Sequence, residues 1–94
     1  MKIKEKDLIS LGFERVDVSE YESGDKPFYY YTIDFGKSQM VSLLSLSNDE
    51  VVDDDWTLSI FEDETIVIKN LEELYDFVYL IRKLEKNYKQ NTNN

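Results

Sequence analysis

The chain has 94 residues, 20 acidic against 11 basic side chains, a net charge of −9, and neither histidine nor cysteine. That is the length of one domain, and its core is too small to surround a deep substrate cavity. Lacking thiols and imidazoles, the chain has no thiol nucleophile, disulfide, thiolate zinc site or imidazole base, so no catalytic residue, cofactor or metal is expected. The opening Met1-Lys2-Ile3-Lys4-Glu5-Lys6-Asp7 and the short apolar stretch at 8–11 do not make a secretory leader. No run approaches the roughly 18 apolar residues of a membrane helix, so a soluble, cytoplasmic protein is expected.

Residues 7–11 read as a short helix stopped by Gly12, with Leu8 and Leu11 one turn apart. Phe13 leads into a strand over 14–19, where Val16 and Val18 alternate with Arg15 and Asp17. Residues 20–27 read as a loop, marked by Ser23-Gly24-Asp25 and Pro27. The clearest strand is 28–35, whose Tyr29, Tyr31, Ile33 and Phe35 share a core face and leave Phe28 and Tyr30 on the other. Gly36-Lys37 is the expected turn into 39–46. Apolar residues there occupy both parities (Val41 and Leu43; Met40, Leu44 and Leu46), which predicts a central strand or a bulge. An acidic loop over 47–55 precedes a strand at 56–61, in which Trp56 is expected in the core. Glu62-Asp63-Glu64 then turns the chain into a short partner strand at 65–68.

Asn70 is placed to cap a long helix, with Glu73 three residues on as in a capping box. Leu71, Leu74, Phe77, Val78, Ile81, Leu84 and Tyr88 follow helical spacing and are expected to cover the sheet. Arg82, Lys83, Lys86 and Lys89 lie toward the C-terminal end, where positive charge is favoured. The expectation is an α+β domain over 1–89 with a disordered tail at 90–94. It comprises a short N-terminal helix, a five-stranded mostly antiparallel sheet, and a long C-terminal helix packed on one sheet face.

Charge is unevenly distributed, since residues 14–64 hold 14 acids and 3 bases, a net of −11, while each flank is +1. The densest group is Asp49, Glu50, Asp53, Asp54 and Asp55, followed by Glu62, Asp63 and Glu64. The simplest role of such acids is solubility and protection of strand edges. A sharper one is imitation of a nucleic-acid backbone, which carries one charge per about 1.7 Å of duplex, so that the acids dock on a basic nucleic-acid-binding protein. The acidic loop lacks the alternating Asp spacing and central Gly of an EF-hand, and Gly12, Gly24 and Gly36 are too scattered for a phosphate loop.

Two further features concern recognition. Phe28, Tyr30 and Phe61 form an apolar patch fit for a partner or a dimer contact if nothing covers them. Tyr75, Tyr79, Arg82 and Lys86 recur along one side of the long helix. The simpler reading is that the rings flank the core and the cations complement the helix dipole. The other is that bases stack on the rings while the cations meet phosphates. The acidic remainder would repel free nucleic acid, so RNA already held by a larger basic protein is the setting in which such contact is expected.

Leu-Gly-Phe near the start, the Phe-Tyr-Tyr-Tyr strand, Asp-Trp-Thr-Leu-Ser-Ile-Phe-Glu and Asn-Leu-Glu-Glu-Leu-Tyr-Asp-Phe-Val together resemble the small acidic proteins of bacteriophages and mobile elements. That group includes anti-CRISPR inhibitors, with those of the type VI-B RNA-guided RNA-cleaving effector nearest. The resemblance implies a non-enzymatic inhibitor that binds an RNA-guided nuclease and disturbs productive guide or target RNA binding. The residues expected to meet the partner are Asp49, Glu50, Asp53, Asp54, Asp55, Phe61, Glu62, Asp63, Glu64 and Tyr30. The alternative is a small adaptor or immunity protein that binds another host protein, as a monomer or a homodimer.

Overall fold

A computed structural model describes residues 1–37 and 41–92, with side chains described as far as Tyr88. In chain order the elements are α1 (Glu5–Leu11), β1 (Glu14–Val18), α2 (Glu20–Ser23), β2 (Phe28–Phe35), β3 (Val41–Ser45), a 3₁₀ turn (Asn48–Glu50), β4 (Leu58–Ile60), β5 (Asp63–Ile68) and α3 (Leu71–Thr92). The strands form a five-stranded sheet in the order β1-β2-β3-β4-β5, and every neighbouring pair is antiparallel. The fold is therefore the expected α+β arrangement. β3 occupies the centre of the meander, as expected, with Leu43 on the covered face and Leu44 on the open one. The expected strand start at Gln39 and Met40 lies outside the described residues.

Strand alternation decides where the core forms. Tyr31, Phe35, Leu43, Leu58 and Ile68 point to one side of the sheet, where Ile3, Leu8, Leu71, Leu74 and Val78 close over them together with Phe13 and Trp56. The Tyr31 and Trp56 rings meet edge to face with centroids 5.4 Å apart, and Tyr29 stacks on Trp56 at 6.3 Å. At the other end Phe35 meets Phe77 of α3 at 6.2 Å. The Tyr31 hydroxyl donates to Glu5 Oε2 at 2.6 Å, tying α1 to β2. Burial, then that hydrogen bond, pushes the Tyr31 phenol up to about 12.

The ends of the helices follow local chemistry. α1 stops at Gly12, whose φ of +94° suits a residue without Cβ. The Gly12 and Phe13 N–H groups satisfy the carbonyls of Ile9 and Leu8 at 3.1 and 3.0 Å. Asn70 caps α3 as expected, its Oδ1 accepting the Glu73 N–H at 2.8 Å while its amide donates to the Glu73 carboxylate.

Four local expectations are corrected. Residues 20–23 form the helical turn α2 within the expected loop, because Ser19 and Glu22 build a reciprocal capping box. Ser47 and Glu50 do the same for the 3₁₀ turn. The strand expected over 56–61 shortens to β4, since Trp56 pairs instead with Ile3 through a 2.8 Å bond from Trp56 N–H to the Ile3 carbonyl. The following reversal takes only Phe61 and Glu62, because Glu62 adopts φ +71° and Ile60 pairs with Asp63. Asp63 and Glu64 thus belong to β5 rather than to the turn.

α3 also differs from expectation at its far end. Leu84 is 51% exposed and Tyr88 63%, so neither covers the sheet. A 22-residue helix is about 33 Å long, and its packing against the core reaches no further than Ile81. The helix continues to Thr92, so residues 90–92 are helical where a tail is expected. No glycine or proline interrupts 82–92, and Lys and Gln are good helix formers. Residues 93 and 94 lie outside the described residues.

Candidate protein-binding face

The register places a second set of side chains on the side of the sheet away from the helices. Directly paired residues share a face, so Glu14, Thr32, Leu44, Ser59 and Val67 form one row across all five strands. Val16 beside Tyr30 and Val18 beside Phe28 extend it. None of these side chains belongs to the core cluster. Val16, Val18, Phe28, Tyr30 and Leu44 are each half-buried by their strand neighbours, and Val67 is exposed. The open face is therefore mixed, with Val16, Val18, Phe28, Tyr30 and Leu44 standing among Glu14, Thr32 and Ser59.

Both valines of β1 lie on this open face, while Arg15 and Asp17 take the helix-covered side. Arg15 sits with its guanidinium carbon 3.6 Å from the centre of the Tyr29 ring and 2.9 Å from Asp17 Oδ1. An edge ion pair therefore shields the aromatic cluster, and the valines are released to the other side. Asp34 and Ser42 meet on the open face through a 2.5 Å hydrogen bond from the serine hydroxyl.

The expected acidic residues separate into two groups. Asp49, Glu50, Asp53, Asp54 and Asp55 lie in the β3–β4 connection at one end of β4, and Glu62, Asp63 and Glu64 lie at its other end. Six residues, about 20 Å of extended chain, separate the groups. Phe61 stands between them at the second turn, 53% exposed. Tyr30 lies on β2, two strands from β4, on the open face.

Not all of these acids are available to a partner. Asp54 Oδ1 accepts the Glu5 N–H at 3.0 Å and the Trp56 indole N–H at 2.9 Å. The Glu5 amide first, then Trp56 and the nearby Lys2 and Lys4, hold its carboxyl below the usual range. Asp54 is thus a clamp joining the acidic loop to the N-terminal segment. The Lys2 ammonium adds a bond to the Asp53 carbonyl, and both Asp53 and Asp54 adopt positive φ, 56° and 55°. Glu50 is engaged in its capping box with Ser47. Asp63 accepts the Thr65 hydroxyl and N–H, which lower its carboxyl in that order. Among the described residues, Asp49, Asp53, Asp55, Glu62 and Glu64 have carboxylates with no hydrogen bond or ion pair.

Alternation within β2 predicts Phe28 and Tyr30 away from the core, but it does not reach Val16, Val18, Leu44 and Val67. Their membership depends on register, which alternation within one strand does not supply. Among the described residues no group of three or more acidic side chains is arranged to hold a metal ion, and no helix is long and apolar enough to cross a membrane. Compared with protein-family models, curated proteins and solved structures, the chain shows no significant match to any of them.

Proposed function

We propose that this protein is a non-catalytic inhibitor of the anti-CRISPR kind, whose uncovered sheet face docks on the basic nucleic-acid-handling surface of an RNA-guided nuclease. The observation that carries the reading is the pairing of an apolar face around Tyr30 and Leu44 with five unengaged carboxylates at the two ends of β4. The apolar centre supplies short-range fit. The acids supply attraction to Lys and Arg, which raises the association rate and orients the approach. The resemblance to small acidic phage proteins points to the nuclease as the partner and to interference with guide or target RNA as the effect. The net charge disfavours a second copy on the same face, since two such surfaces repel one another.

The test is binding to a panel of purified RNA-guided nucleases, with and without guide RNA, at low and high salt. The account expects tight, salt-sensitive binding to one of them. It also expects slower association when Asp49, Asp53 and Asp55 are changed together to Lys with the Asp54 clamp intact. Absence of binding across the panel, with capture instead by a toxin or an assembly partner, would make the chain an adaptor or immunity protein.

A further inference from the structure

The flank of α3 and the end of α1 border an open groove of about 680 Å³ in the helical layer. Its floor is Leu11 and Val78, and its walls carry Tyr75, Tyr79, Arg82, Lys83, Lys86 and Asn87. Three of the eight lining residues are cations and none is an anion, in a chain with nearly twice as many acids as bases.

The fold maintains the groove in two ways. Arg82 donates to the Leu11 carbonyl at 2.9 Å, which fixes its guanidinium at the mouth and joins α3 to the end of α1. Glu85, the acid within this half of α3, is held toward the sheet, where it accepts the Gly36 N–H at 3.1 Å. Lys83 and Lys86 have no carboxylate partner among the described residues. Tyr75 and Tyr79 are 47% and 73% exposed and stand one helical turn apart, about 6 Å along the axis. That spacing is close to the separation of successive bases in an unstacked strand, and each ring offers a platform on which a base can lie.

We infer that this groove binds a single-stranded nucleic-acid segment, with bases stacked on Tyr75 and Tyr79 and phosphates held by Lys83, Lys86 and the free edge of Arg82. The site is independent of the nuclease-docking reading, because it lies on the helical layer and uses none of the acidic residues. At about 0.15 M salt the screening length is about 8 Å, so a phosphate between Lys83 and Lys86 meets those cations while the acids of the loops are largely screened; Glu72 and Asp76, one turn from the two tyrosines, oppose binding at the other end of the groove. Affinity for an isolated strand is modest, because the cations are few. A strand presented by a partner protein gains from its high local concentration.

The experiment is a titration of the isotope-labelled full chain with an eight-nucleotide uridine RNA, the matching thymidine DNA, uridine monophosphate and inorganic phosphate, followed by NMR at about 0.15 M salt. Saturable shifts at Tyr75, Tyr79, Lys83, Lys86 and Asn87 are expected with the oligonucleotides. Affinity should drop at least tenfold in Lys83→Glu/Lys86→Glu and severalfold in Tyr79→Ala, substitutions at exposed positions that leave the fold intact. The RNA and DNA arms distinguish the two sources of strand, and uridine monophosphate shows whether one nucleotide suffices. Absence of saturable shifts, or shifts that persist in these variants, would overturn the proposal. So would inorganic phosphate reproducing the full pattern while Tyr79→Ala changes nothing.

Discussion

The two faces of the sheet are made by the same strands and have different fates. Leu43 and Leu44 are neighbours on β3, yet Leu43 is fully buried under α1 and α3 while Leu44 stays half-exposed between Thr32 and Ser59. On the covered face, burial of Tyr31, Leu43, Trp56 and Leu58 beneath Leu8, Leu74 and Val78 holds the fold together. On the uncovered face Val16, Val18, Phe28, Tyr30 and Leu44 stand among polar neighbours and add less to folding, since water still reaches them. A small domain that leaves one sheet face unpaired with any helix retains apolar area for another molecule.

The largest effect belongs to the covered face. Leu43→Ala should cost about 3 kcal/mol by urea unfolding, from lost transfer energy and a residual cavity, whereas Leu44→Ala should cost about 1 kcal/mol. Equal losses at the two positions would end the distinction between the faces. Next comes the clamp between the acidic loop and the N-terminal segment. Asp54→Ala removes the acceptor of two hydrogen bonds and should cost about 1–2 kcal/mol, while Asp55→Ala should change stability by less than about 0.5 kcal/mol.

Acid titration follows from the same clamp. Asp54, Asp63 and Glu72 are all held below their ordinary values: Asp54 by the Glu5 N–H, Asp63 by the Thr65 hydroxyl, and Glu72 by its own backbone N–H and then the N-terminal amine. A carboxyl lowered in the folded state contributes stability that is complete above its unfolded value near pH 4. That contribution is lost as pH falls through the folded value. Unfolding free energy should therefore decline below about pH 4, and less steeply in Asp54→Ala. Tyr31 acts at the opposite limit. Its folded value of about 12 lies above the ordinary 10, so its contribution is complete below pH 10 and lost as pH rises toward 12. Tyr31→Phe should flatten that alkaline decline. The smallest effect on folding is that of Glu62→Lys/Glu64→Lys, which should leave stability within about 0.5 kcal/mol while slowing association with the proposed basic partner.

Most of the covered face was legible because it is written in local periodicity. Tyr29, Tyr31, Ile33 and Phe35 alternate, and the apolar spacing from Leu71 to Ile81 is helical. α2 and the 3₁₀ turn also left local signals, Ser19 to Glu22 and Ser47 to Glu50, each a serine followed three residues later by glutamate. The rest depends on contacts distant in sequence. No local pattern shows that Ile3 pairs with Trp56, and this pairing shortens β4. Nor does one show that Asp54 serves Glu5 and Trp56 while Asp53 and Asp55 remain unengaged. The groove was half visible, since Tyr75, Tyr79, Arg82 and Lys86 share a helix side. The contributions of Leu11 and Lys83, and the turning of Glu85 toward Gly36, required the packed structure.

The proposal that one sheet face folds the protein while the other docks on a partner is tested most directly by the double variant Tyr30→Asp/Leu44→Asp. Its thermal unfolding and its affinity for the nuclease identified in the binding panel would be measured on the same preparation. The account predicts a cooperative transition with the midpoint lowered by about 10–15 °C, the shift that about 2 kcal/mol produces in a chain of this length, and an affinity at least tenfold weaker. Unchanged affinity, or collapse of the fold, would contradict it.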